Sequence, residues 1–96
     1  MDKQPAVYIL ATKFHGTMYV SVTSQLIQRI WQHKEHVVDG FTKRYGVIRL
    51  VWFEMHETEE GAITREKQIK KWKRDWKFRQ IEEQNPRWDD LFERIV

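Results

Sequence analysis

Cysteine is absent from the 96 residues, which excludes disulfides and thiolate-held metal sites. No stretch is long and apolar enough to span a bilayer. The opening Met1-Asp2-Lys3-Gln4-Pro5 lacks the basic-then-apolar layout of a secretory leader, so a cytoplasmic protein without a membrane partner is expected. No glycine-rich phosphate loop is present. Serine occurs only as Ser21 and Ser24, neither in a nucleophile-elbow pattern, which argues against a serine hydrolase. His33 and His36 stand three apart, but no further ligands complete a zinc set.

What is there is apolar and charged in separate places. Hydrophobic residues make up 41% and aromatics 14%, with five Trp, which is ample for a core and argues against disorder. The length suits one domain over 1–96 and not two. Net charge is +3 and the pI about 9.3. Between Arg65 and Arg79 eight Lys or Arg residues face only Glu66 and Asp75. From Gln80 onward acids prevail, with Glu82, Glu83, Asp89, Asp90 and Glu93 against Arg87 and Arg94. A locally basic face is what a polyanion needs; the alternative is an ordinary solvated helix face.

Residues 6–11 (AVYILA) form a short apolar run consistent with a buried strand. Residues 17–22 (TMYVSV) are β-branched and aromatic and alternate, as a second strand does. A turn at His15-Gly16-Thr17 makes a hairpin the simplest link. Ser24 offers an N-cap for a helix over 25–36, with Leu26, Ile27, Ile30 and Trp31 on its apolar face. Residues 37–46 read as a loop, and 47–54 (VIRLVWFE) as a third strand. Thr58 with Glu59 and Glu60 marks a helix start. That helix runs to about 72, with a break or continuation near Arg74-Asp75 and helical pattern to Gln84. Pro86 places Asn85 in a turn, and a last helix is expected over 88–94. The expectation is an α/β (α+β) domain in the order β-β-α-β-α-α-α, with a small, mainly antiparallel three-stranded sheet flanked by helices.

Several residues could carry chemistry. Two adjacent strands, one with Tyr8 and one with Tyr19, can bring two phenols into one site. Arg29 and His33, four apart, share a helix side. They suit a phosphate held beside a proton-exchanging imidazole, or else a surface Arg and a locally bonded His. Glu66 falls between Ala62 and Ile63 on the arc that faces the protein, where a carboxylate is costly unless paired or bound to a cation. Either it pairs with Arg29 or a neighbouring Lys, or it is a hard oxygen ligand for Mg²⁺ or Mn²⁺. Trp72 and Trp76 fit a buried stripe better than a base-stacking platform.

With these residues assembled, the chain resembles the GIY-YIG nuclease family, and within it the small stand-alone bacterial proteins of the YhbQ type (UPF0213-like). The motifs are AVYILA, GTMYVSVTSQLIQRIWQHK, DGFTKRYGVIRLVWFE, AITREKQIKKWKR and EQNPRWDDL, spread over roughly residues 5–92. The resemblance implies an active site of Tyr8, Tyr19, Arg29, His33 and Asn85, with Glu66 as the Mg²⁺ or Mn²⁺ ligand. It implies divalent-metal-dependent DNA endonuclease chemistry, by phosphodiester hydrolysis. The alternative is a nucleic-acid-binding module of the same fold with little activity. Lys43, Arg44, Lys67, Lys70, Lys71, Lys73 and Arg74 are the expected DNA contacts, and a protein partner for targeting is a further expectation. Two positions depart from the family pattern. The first motif, Ala6-Val7-Tyr8, has no Gly, and the second ends in Ser21 where the family has Gly. Glycine allows close backbone approach, so Ser21 is expected to crowd the site and Ser21→Gly to raise the rate.

Overall fold

A computed structural model describes residues 4–38 and 40–96. Three strands form one antiparallel sheet in the order β2-β1-β3: β1 (Ala6–Ala11), β2 (Met18–Thr23) and β3 (Arg49–Met55). The apolar run of β1 is central and every residue in it is buried, which is why it does not alternate. β2 lies at an edge and buries fewer side chains. The helices are α1 (Leu26–Lys34), α2 (Phe41–Tyr45), α3 (Glu59–Lys70), α4 (Arg74–Gln84) and α5 (Phe92–Ile95). The expected order holds, with the short α2 added inside the segment read as a loop.

The sheet separates two cores. Val7, Ile9, Val20 and Val51 pack with Ala62 and Ile69 of α3, Ile81 of α4 and Trp88. On the other face, Tyr8, Leu10 and Leu50 pack with Leu26 and Ile30 of α1 and with Leu91. Alternation along β1 therefore sends Tyr8 to the α1 side and its neighbours to the α3 side.

The helix ends explain the boundary differences. α1 starts at Leu26 without a side-chain cap; Thr23 Oγ1 instead accepts the Gln25 N–H at 3.0 Å. It stops at Lys34 because His36 takes a left-handed φ of 55° and Val37 N–H turns back to the Gln32 carbonyl at 3.0 Å. α3 is capped as expected, by Thr58 accepting from Gly61 N–H. The last helix is shorter than expected, because Trp88 has a φ of 57° and residues 88–90 are irregular.

Two apolar assignments are corrected. Trp76 is 55% exposed and Trp72 only half-buried, so they do not form a buried stripe. α3 ends at Lys70 and α4 begins at Arg74, and this break turns the Trp76 face away from the one Ile69 presents to the core. On α1, Ile27 and Trp31 are also exposed, and with Phe53, Met55, Phe92 and Ile95 they line a groove of ≈ 910 Å³. Leu26, Ile30 and His33 are the buried side instead.

The outer edge of β3 is covered by the chain's own C-terminal segment. Gln84 accepts from Phe53 N–H and donates to the Phe53 carbonyl. Asp90 accepts from Leu50 N–H, and Leu91 N–H bonds the Leu50 carbonyl at 2.8 Å. A covered edge cannot template another strand.

Ile69→Ala, which empties a fully buried position, should cost about 2–5 kcal/mol by denaturant titration. Trp76→Ala should stay within about 0.5 kcal/mol of the parent; a loss as large as that of Ile69→Ala would return Trp76 to the core.

Candidate active site

Tyr8 sits on the central strand with 1% of its surface exposed. A buried phenol needs a partner, and its oxygen lies 3.1 Å from His33 Nε2 of α1. His33 is 2% exposed, and its Nδ1 lies 3.0 Å from Thr42 Oγ1 of α2. The three side chains form one buried line from sheet to α1 to α2, and no buried side-chain polar atom among the described residues lacks a partner. Across the hairpin Ser21 is paired with Tyr8, and its hydroxyl acts to lower the pKa of the phenol. Tyr19, half-buried, sets its ring 5.8 Å from that of His33, edge-on.

Charge surrounds this line. Arg29 is exposed one turn before His33, and Arg29 and Glu66 both act electrostatically on the Tyr8 phenol. Burial pushes the Tyr8 pKa up to about 12; the Ser21 hydroxyl and Arg29 oppose this, while Tyr19 and Glu66 reinforce it. Burial also holds His33 below the usual histidine range, with the Arg29 charge acting in the same direction. At neutral pH the pair is therefore a phenol and a neutral imidazole, in which the phenol O–H can donate to Nε2 and Nδ1–H to Thr42.

Glu66 is mostly buried and bonds Lys70 one turn on, with Nζ 3.0 Å from Oε2. The neighbouring-lysine pairing that the sequence allows is thus formed, by a lysine half of whose side chain is open to water. Among the described residues no three His, Asp or Glu side chains gather as a ready-made metal cage.

Asn85 is brought to a different place. β3 carries a bulge: Ile9 pairs with Trp52 and Leu10 with Leu50, so Val51 is the extra residue. The buried Asn85 amide donates to the Val51 carbonyl at 3.0 Å and to the Asp89 carbonyl at 2.8 Å, and its oxygen accepts from Asp89 N–H. Its hydrogen bonds are to backbone and none reaches Tyr8 or His33. Nothing in the sequence signals the bulge, so this use of Asn85 was illegible there.

The expected DNA contacts are all exposed, but they are not equivalent. Lys43 and Arg44 lie on α2 beside the site; Lys67, Lys70, Lys71 and Lys73 follow along α3 and its end. Arg74 holds the hairpin turn by donating to the His15 and Gly16 carbonyls, and stacks over Phe78. Sequence reasoning missed Thr42, Phe41 and Tyr45; the i, i+4 aromatic pair across a short polar stretch was the available signal.

Comparison with known proteins gives one consistent result. The GIY-YIG catalytic domain matches residues 4–79. A UPF0213 protein of Clostridium perfringens is 36% identical over 75 residues, 78% of this chain and 80% of its own length. One from Staphylococcus saprophyticus is 32% identical over 83 residues, 86% and 99% of the two chains. One from Staphylococcus aureus is 32% identical over 77 residues, 80% and 93%. No solved structure matches. Asn85 lies beyond the matched range.

Two outcomes check this geometry. Asn85→Ala leaves the Val51 carbonyl and the Asp89 backbone unpaired and should destabilise by about 2–4 kcal/mol; a fully stable variant would contradict a structural role. Followed by NMR titration, His33 should titrate below the ordinary histidine value of about 6.5. Because its folded pKa is depressed, the unfolded chain binds more protons, so its contribution to stability is present above about pH 6.5 and lost as pH falls through the lowered value.

Proposed function

The chain belongs to the GIY-YIG catalytic-domain family, a family of nucleases, and from that premise we propose that it hydrolyses phosphodiester bonds of DNA with Mg²⁺ or Mn²⁺. The observation that carries this reading is the buried Tyr8–His33 hydrogen bond, with Tyr19 and Arg29 at its rim and Glu66 within electrostatic reach. A proton-accepting pair, a fixed positive charge and a hard carboxylate are the parts that phosphodiester hydrolysis requires.

The donor set suits Mg²⁺ or Mn²⁺, which commonly take one or two carboxylates and complete their shell with water and phosphate oxygens. Glu66 would hold the ion, displacing the solvent-reaching Lys70. When bound, the ion would neutralise the scissile phosphate and the leaving oxygen. Arg29, charged at every relevant pH, holds the phosphate from the α1 side. Tyr8 takes a proton from the attacking water and passes its own to His33 Nε2, while Thr42 fixes the imidazole orientation. Tyr19, the more open phenol, orders the water. Asn85 orients β3 and exchanges no proton.

Lys67, Lys71 and Lys73, with Lys43 and Arg44, supply the positive surface for the backbone, and binding should weaken steeply with salt.

The test is a cleavage assay with Mg²⁺ or Mn²⁺ on duplex, single-stranded, nicked and branched DNA. Arg29→Ala should lower the rate by about a hundredfold or more, and Glu66→Ala should abolish metal-dependent cleavage. Cleavage by Glu66→Ala at the parent rate would sink the metal assignment, and salt-dependent binding with no cutting would favour the binding-module alternative. Ser21 sets a sharper comparison. The crowding expected from sequence would make Ser21→Gly faster. The reverse, a slower Ser21→Gly, is supported by the loss of the hydroxyl that opposes the raised Tyr8 pKa.

A further inference from the structure

Helix α2 reads Phe41-Thr42-Lys43-Arg44-Tyr45, and its residues divide by face. Thr42 points inward and is buried on His33. Phe41 and Tyr45, four apart, share another face with ring centroids 4.9 Å apart. Both are open to water, 45% and 53% exposed. The row continues into the site: Phe41 is stacked 6.3 Å from Tyr19, whose other neighbour is the His33 ring. The Arg44 guanidinium lies 5.5 Å from the Tyr45 ring, and the surface hollow here is lined by Gly40, Phe41, Lys43, Arg44 and Tyr45.

This face needs an occupant that is both flat and anionic. Aromatic rings left in water gain from a planar apolar partner, and the flanking cations select one that carries negative charge. A nucleobase with its phosphates combines the two. A base paired in a duplex is stacked above and below and offers no free face. The hollow is also poor at reading base edges in a groove, since its lining among the described residues is two aromatic rings, two cations and Gly40. We infer that the Tyr19–Phe41–Tyr45 row is a stacking shelf for an unpaired base of the DNA strand being cut, with Lys43 and Arg44 on that nucleotide's phosphates. The inference rests on the nuclease reading and narrows its substrate to DNA with a single-stranded, gapped or frayed segment at the cut. Because Thr42 ties α2 to His33, a base on the shelf is held in register with the proton-accepting pair.

The experiment uses the full chain and synthetic DNA carrying 2-aminopurine, whose fluorescence falls when it stacks. The base is placed at successive positions in a short gap, or at the same positions in an intact duplex, and binding is followed with metal chelated. Quenching is expected at one gap position and at none in the duplex. Phe41→Ala and Tyr45→Ala should each remove most of the quenching and weaken gapped-DNA binding about tenfold, with duplex binding within about twofold of the parent. Phe41→Trp should keep the quenching and Phe41→Leu should not, since the ring and not its bulk is required. Restoration by Phe41→Leu, equal losses on both DNAs, or parent-level quenching in Tyr45→Ala would each overturn the shelf. So would a parent that binds and cuts both DNAs equally without quenching, although the nuclease reading would then stand. Quenching at the gap with no cutting of any DNA under Mg²⁺ or Mn²⁺ would sink the nuclease reading and leave the shelf. Binding to neither DNA, as for a docking face that takes protein, would overturn both.

Discussion

A phenol buried in the middle of a sheet must be satisfied by something that crosses to it, and here that requirement organises the molecule. Tyr8 reaches His33, and His33 reaches Thr42, so one line of hydrogen bonds joins the central strand to α1 and α2. Each member is almost fully enclosed, and losing one leaves the next with an uncompensated polar atom. The placement of α1 follows from this as much as from Leu26 and Ile30. Its buried side includes a histidine, and the tryptophan that looked suited to the core lies outside. The same line brings Arg29 to the rim, because a residue one turn before a buried His33 must emerge beside it.

The two sheet edges have been put to different uses. Along β3 the ladder is closed by Gln84, Asn85, Asp90 and Leu91, so the segment after α4 serves as a fourth edge without being a strand. The Val51 bulge would otherwise leave a buried carbonyl unpaired, and Asn85 is the residue that meets it. On β2, the opposite edge, stand Tyr19 and Ser21, the two β2 side chains that act on the Tyr8 phenol and the His33 imidazole.

What could be read from the sequence was local. β1 and β2 were legible from apolar and alternating patterns, and α3 from Thr58 and its two glutamates. Tyr8, Tyr19, Arg29 and His33 do come together, because a hairpin and the helix after it bring them close with little freedom. Trp31 and Trp76 were misread because periodicity shows that a stripe exists but not how wide an arc the neighbouring elements cover. α2 was read as loop because five residues hold too few turns to show a period. Asn85 was placed in a turn correctly, yet its partner is a bulged carbonyl 34 residues away, which no local pattern encodes.

The ionisation of Tyr8 is a balance of opposed effects. Burial is the largest, and with Tyr19 and Glu66 it drives the phenol towards its neutral form. Ser21 and Arg29 act against it and do not prevail, since the pKa stands at about 12. Of the two, the Ser21 hydroxyl is the stronger, and removing it leaves Arg29 alone on that side. Glu66 is the one contributor whose sign can change. As a bare carboxylate it opposes ionisation, whereas a divalent cation held there would reverse the local charge and favour it. A cation held there would thus ease the passage of the phenol's own proton to His33 Nε2, the transfer on which the proposed relay depends.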